Sequence, residues 1–160
     1  HSMINRYLIG ELPLTSYPAE NCFSEEKWFS SDQLTEYESL ILDKCSFKQA
    51  LEMVIDLSTR GNQYIEENKP WNLAKEDKEK LVLVLKNLLS NLRLISLLLR
   101  PFLPSTAEKI YKMFGQFGSP ADAWEKFTWE HLKIISKINF LSLNNKVKIN
   151  QGSILFPRII

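Results

Sequence analysis

The 160-residue sequence predicts an all-α fold, an antiparallel helix bundle closed by a small C-terminal β-hairpin or loop segment. Three observations predict it. Apolar residues recur at alternating steps of three and four over several long segments, the repeat of one helix face. Prolines and glycines punctuate those segments at short spacings, so that successive helices must turn back on one another. At 18.7 kDa the chain is long enough for one proper core and too short for two large ones.

The elements follow in order. His1-Ser2-Met3 reads as a cloning scar, so the native sequence is expected to begin at residue 4, within a longer protein. Ile4 to Ile9 reads as the end of a helix stopped by Gly10, and Pro13 and Pro18 mark an extended linker. A first core helix is expected over about 31–45, where Leu34, Tyr37, Leu40 and Ile41 form one face and acidic residues the other, solvent-facing side. A second is expected over about 46–67, with Ser46 as N-cap and an inner face of Phe47, Leu51, Val54, Ser58, Gly61 and Ile65. Glycine inside a helix costs roughly 1 kcal/mol against alanine, so Gly61 calls for close packing or an adjacent ligand. Pro70 ends this helix, because proline lacks an N–H and disfavours helical geometry in the residue before it; Trp71 is expected outside the regular helix.

The longest helix is expected over about 77–100, with acidic residues in its first turn where the helix dipole favours them. Its face of Leu81, Leu85, Leu88, Leu92, Ile95, Leu99 and Phe102 is widened by Val82, Val84, Leu89, Leu94, Leu97 and Leu98, as suits a helix surrounded by its neighbours. A last core helix is expected over about 105–114, opened by a capping box of Ser105 and Glu108 and stopped by Gly115. Pro120 and Thr128 are candidate starts of short turns. Over about 133–160 the pattern becomes irregular, and Asn144-Asn145 followed by Val147 and Ile149 alternating with lysines reads as a small hairpin.

Composition narrows the function. The apolar stretch from Leu81 to Leu103 is interrupted by Lys86, Asn87, Asn91, Arg93 and Arg100, so no membrane span is expected, and the protein reads as soluble and cytoplasmic. Cys22 and Cys45 offer neither metal spacing nor a disulfide framework and read as reduced thiols. His131, the one histidine outside the scar, has no ligand set or nucleophile motif around it, and 5 glycines leave little material for a phosphate loop. No catalytic constellation, metal site or cofactor is expected in these residues. Net charge is +1, but residues 1–44 carry −5 and residues 45–160 carry +6, a weak lean of one side toward phosphates.

The stretch Asn62 to Ala74, NQYIEENKPWNLA, carries the most information. It sets a helix end against a Pro-Trp pair at a fixed corner. Trp71 there either caps the hydrophobic core or is displayed as a contact surface.

The segments FKQALEMVIDLSTRGNQYIEENKPWNLAKED, LLRPFLPSTAEKI and ILFPRI, in that order, resemble the anticodon-binding domain of methionyl-tRNA synthetases, a class Ia family, and the likeness covers nearly all of residues 4–160. Its most specific parts are the Asn-x-Tyr-Ile-x-x-x-x-Pro-Trp run, the Pro-Phe-Leu-Pro link and the terminal Leu-Phe-Pro-Arg-Ile. The resemblance implies that Trp71, held after Pro70, stacks on the first anticodon base of the methionine tRNA. Asn62 and Tyr64 match the family pattern, Asn62 as either a backbone cap or a base contact and Tyr64 as either a contact or a buried strut of the Trp71 corner. Asn5 and Arg6 match the end of the family's first bundle helix, whose upstream residues supply an asparagine and an arginine to the same base. Lys69, Lys75 and Lys78, close to Trp71 in sequence, are candidate phosphate contacts or ordinary surface lysines. The resemblance further implies a catalytic domain outside this sequence, using ATP, magnesium and in many members zinc, so these residues alone are not expected to form an adenylate. Two alternatives stay open: the anticodon-binding bundle of another class Ia synthetase, and a helical protein-interaction scaffold.

Overall fold

A computed structural model describes residues 11–12, 28–113 and 147–148. In chain order the elements are β1 (Glu11–Leu12), α1 (Ser31–Leu42), α2 (Phe47–Asn68), α3 (Pro70–Glu76), α4 (Lys78–Leu98), α5 (Pro104–Met113) and β2 (Val147–Lys148). This is the all-α bundle expected. α4 packs against α2, α3 and α5, and α1 lies on α2, so α4 is the helix enclosed by its neighbours.

The core explains the order. Leu34, Tyr37 and Leu40 of α1, Ala50, Val54 and Leu57 of α2, Leu94, Ile95, Leu97 and Leu98 of α4 and Ala107 of α5 are buried together, with Trp28 and Phe29 ahead of α1. Each large aliphatic side chain withdrawn from water contributes about 1.5–3 kcal/mol. The buried hydroxyl of Tyr37 donates to the Leu98 carbonyl, tying α1 to the end of α4.

Several sequence expectations need correction. The inner face of α2 is Ala50, Val54, Leu57 and Gly61, rotated from the expected one; Phe47 and Ser58 are exposed. The two faces share Val54 and Gly61, and the expected one took in Ser58 while passing over the larger Leu57. Leu92 of α4 is likewise exposed. α1 ends at Leu42, and Cys45 follows in a left-handed conformation with φ 49°. The Ser105–Glu108 capping box is not the start of α5, which begins one residue earlier at Pro104. A capping box stands instead at α1, where the Ser30 hydroxyl accepts from Gln33 N at 3.1 Å and the Gln33 side chain accepts from Ser30 N at 2.9 Å. Ser46 does precede α2, but its hydroxyl donates to Gln49 Oε1 rather than capping the helix.

α4 also fails the expectation that no stretch approaches a membrane span: it is long and apolar enough to cross one by length and composition. Its packing on three sides accounts for that apolarity, and Lys86, Asn91, Arg93 and Ser96 are buried along it. β2 pairs antiparallel with β1, Glu11 opposite Lys148 and Leu12 opposite Val147, so the described partner of Val147 comes from the other end of the chain. The Asn144-Asn145 turn, the Ile4–Ile9 helix end, Pro13, Pro18, the turns at Pro120 and Thr128, Cys22, His131 and the terminal Leu-Phe-Pro-Arg-Ile lie outside the described residues.

Candidate nucleic-acid interface at the Lys69–Trp71 corner

α2 stops because Pro70 bars the helical conformation to Lys69. Lys69 takes the left-handed region instead, φ 43° and ψ 62°, and its N–H closes the last turn of α2 on the Ile65 carbonyl at 2.9 Å. Such a conformation costs a non-glycine residue about 1–2 kcal/mol, so the surroundings must hold it. The carbonyl of the same residue starts α3, accepting from Asn72 N at 2.8 Å and Leu73 N at 3.3 Å. Pro70 sits at the first position of α3, where a missing N–H is harmless, and is buried. Trp71 therefore lies inside a short second helix, not in irregular chain as expected from the sequence. It remains displayed, with 40% of its surface exposed.

Aromatic, amide and guanidinium groups brace the last turns of α2. The Asn87 side chain on α4 donates from Nδ2 to the Tyr64 hydroxyl at 2.9 Å, and the Asn87 carbonyl accepts from Trp28 Nε1 at 3.1 Å. The Trp28 and Tyr64 rings meet edge to face, centroids 5.3 Å apart. Arg60 donates to the Trp28 carbonyl at 2.8 Å and lies 6.0 Å from the centre of its ring. Asn68 Nδ2 donates back to the Tyr64 carbonyl at 3.0 Å, in the turn that leads into Lys69.

Of the residues singled out in the sequence, Pro70 and Trp71 are adjacent at the corner and Tyr64 is half-buried one turn before it. Asn62 is exposed within α2, so it caps no helix end; seven residues before Lys69, it lies two turns, or about 10 Å, along the helix and on nearly the same side. Lys69, Lys75 and Lys78 are exposed. They share residues 66–80 with Lys80 and with five carboxylates, Glu66, Glu67, Glu76, Asp77 and Glu79, so the corner is not a basic patch. Asp77 has a structural task, capping α4 through Oδ1 to Lys80 N at 2.9 Å. Asn5 and Arg6 lie outside the described residues. No group of three or more His, Cys, Asp or Glu side chains that could hold a metal ion occurs among the described residues.

Sequence reasoning missed Trp28, Asn68 and Asn87. Trp28 precedes the first periodic segment and had no pattern to announce it. Asn87 did carry a signal, since a polar side chain on a strongly apolar helix needs a partner.

A sequence profile for the anticodon binding domain of methionyl tRNA ligase matches residues 19–148. The chain is 37% identical over 160 residues to the methionine–tRNA ligase of Caldanaerobacter subterraneus subsp. tengcongensis, a match covering 99% of this chain and 23% of that protein. The methionine–tRNA ligase of Sulfurisphaera tokodaii is 33% identical over 156 residues, 96% of this chain and 27% of that protein. That of Rickettsia felis is 36% identical over 129 residues, 81% of this chain and 23% of that protein. The chain thus spans about a quarter of the length of these curated relatives.

Proposed function

We infer the function of this chain from one premise: it belongs to the family of anticodon-binding domains of methionyl-tRNA ligases. Membership implies tRNA binding and a longer parent chain. The specific reading is that the bundle grips the anticodon stem-loop of the methionine tRNA, with Trp71 as the platform on which the first anticodon base stacks. Anticodon bases can be splayed from their loop and offer π faces, and single-stranded RNA is commonly read by aromatics together with hydrogen bonds to base edges.

The observation that carries this reading is the position of Trp71, a large ring left exposed at the head of a short helix, next to a strained Lys69 and a buried Pro70. Asn62, exposed and on nearly the same side of α2 as Lys69, is suited to a base-edge contact; Tyr64, half-buried and bonded to Asn87, is suited to a strut. Lys69, Lys75 and Lys78 are placed to meet stem phosphates, which orient the RNA without specifying its sequence. The reading extends Asn5 and Arg6 to the same site on the family pattern alone. Catalysis belongs to the parent enzyme, which activates methionine with ATP and esterifies it to tRNA in the cytoplasm; the catalytic groups, with ATP, magnesium and any zinc, lie in its other domains.

Fluorescence or anisotropy titration of a methionine anticodon stem-loop tests the reading. Trp71→Ala is expected to weaken binding by about 1–3 kcal/mol, the range for one stacked base, with the circular dichroism of the fold intact. Unchanged affinity in a folded variant would refute it.

A further inference from the structure

We propose that Asn87 of α4 is a positioning residue for Trp71: it locks Tyr64 and Trp28 together and so fixes the direction in which the Lys69–Trp71 corner presents its indole. This rests on the stacking role proposed for Trp71. The Lys69 side chain does not cap the start of α3, and Lys69 itself sits in a conformation its side chain disfavours. A corner built on such a residue needs a lateral brace to hold a single direction. Asn87 supplies it from the neighbouring helix through two different groups.

Its side chain donates to the Tyr64 hydroxyl at 2.9 Å, and its carbonyl accepts the Trp28 indole N–H at 3.1 Å. The edge-to-face contact of Trp28 on Tyr64 closes the triangle. Tyr64 passes the constraint on, because its own carbonyl receives Asn68 Nδ2 at 3.0 Å, and Asn68 is the last residue of α2 before Lys69. A hydrogen-bonded network of this kind holds one geometry more firmly than apolar contact of the same area, since each partner has a direction. Asn87 itself touches no RNA in this scheme; it acts through Tyr64.

The test uses the 160-residue chain labelled with fluorotryptophan, whose four tryptophans give separable fluorine resonances and whose Trp71 signal is assigned by Trp71→Phe. Asn87→Leu and Tyr64→Phe each break the side-chain bond from one end, and Tyr64→Phe alters a single hydroxyl, so it reports even if Asn87→Leu does not fold. Both are expected to shift or broaden the Trp71 resonance. Both should weaken stem-loop binding about threefold to tenfold, the span of one neutral hydrogen bond, and neither should weaken it further when Trp71 is already alanine. A Trp71 resonance that stays unchanged in the folded variants, or losses that add fully to that of Trp71→Ala, would overturn the proposal. Should Trp71→Ala alone leave binding intact, the stacking role fails, and the resonance still decides whether Asn87 orients the indole.

Discussion

Gly61 leaves the space that Asn91 fills. A Cβ built on Gly61 would stand 2.5 Å from Asn91 Nδ2, which donates to the Leu57 carbonyl at 3.1 Å. Asn91 has little room to yield: it is buried, and moving Nδ2 would break its bond to the Leu57 carbonyl. Close packing is therefore what compensates this mid-helix glycine, one of the two explanations its sequence position called for. Gly61→Ala gains about 1 kcal/mol of helix propensity but must displace Asn91, and overpacking with loss of that hydrogen bond is expected to win, lowering stability by about 1–3 kcal/mol in urea unfolding. Tyr37 makes a second prediction at this scale. Burial pushes its phenol above the ordinary tyrosine value. A group whose pKa is raised on folding contributes stability that is complete below its unfolded value near pH 10 and is lost as the pH climbs. Tyr37→Phe should be less stable than the parent at pH 8, by about 0.5–1.5 kcal/mol for the hydrogen bond to Leu98. The gap should then narrow above pH 10. The comparison cancels the contribution of Arg93, which runs the other way. Burial pushes Arg93 down to about 10 against the partial support of Tyr111, a destabilisation relieved as pH rises past that value.

At the scale of elements, the helices were legible where one strong local signal acted alone. α4 is apolar over so wide an arc that its central place needed no further information, and Pro70 marked the end of α2 to within a residue. The face of α2 was not legible, because its apolar residues spread around the helix and the choice between Phe47 with Ser58 and Ala50 with Leu57 is made by the fit of α1 and α4. The corner itself was half legible. Pro-Trp announced a turn, but that the chain re-enters a helix at once depends on Lys69 accepting a left-handed conformation that no lysine prefers. The brace from Trp28 and Asn87, 59 residues apart in sequence, is a product of tertiary packing and left no local pattern. Capping shows the same divide: Ser105 and Glu108 have the right spacing yet do not open α5, whereas Ser30 and Gln33 satisfy one another's backbone at α1. Ser30→Ala is expected to lower stability by about 0.5–2 kcal/mol. Thermal unfolding of the variant checks it.

The whole molecule carries a net charge of only +1, and the corner that displays Trp71 mixes four lysines with five carboxylates over residues 66–80. On the proposed reading, affinity for RNA comes more from stacking and base-edge contacts than from phosphate neutralisation. With Lys69, Lys75 and Lys78 as the phosphate contacts, the slope of log affinity on log salt should be about −2 to −3. A generic basic RNA surface would be steeper and indifferent to loop sequence, and a protein-binding scaffold would show no RNA affinity to analyse. Whether this bundle reads the methionine anticodon is decided by equilibrium titration of the chain with a methionine anticodon stem-loop and with the same stem bearing a scrambled loop, at two salt concentrations. Tighter binding of the methionine loop is expected at both concentrations, with the shallow salt slope given above. Equal affinity for the two loops, or no binding of either, would contradict it.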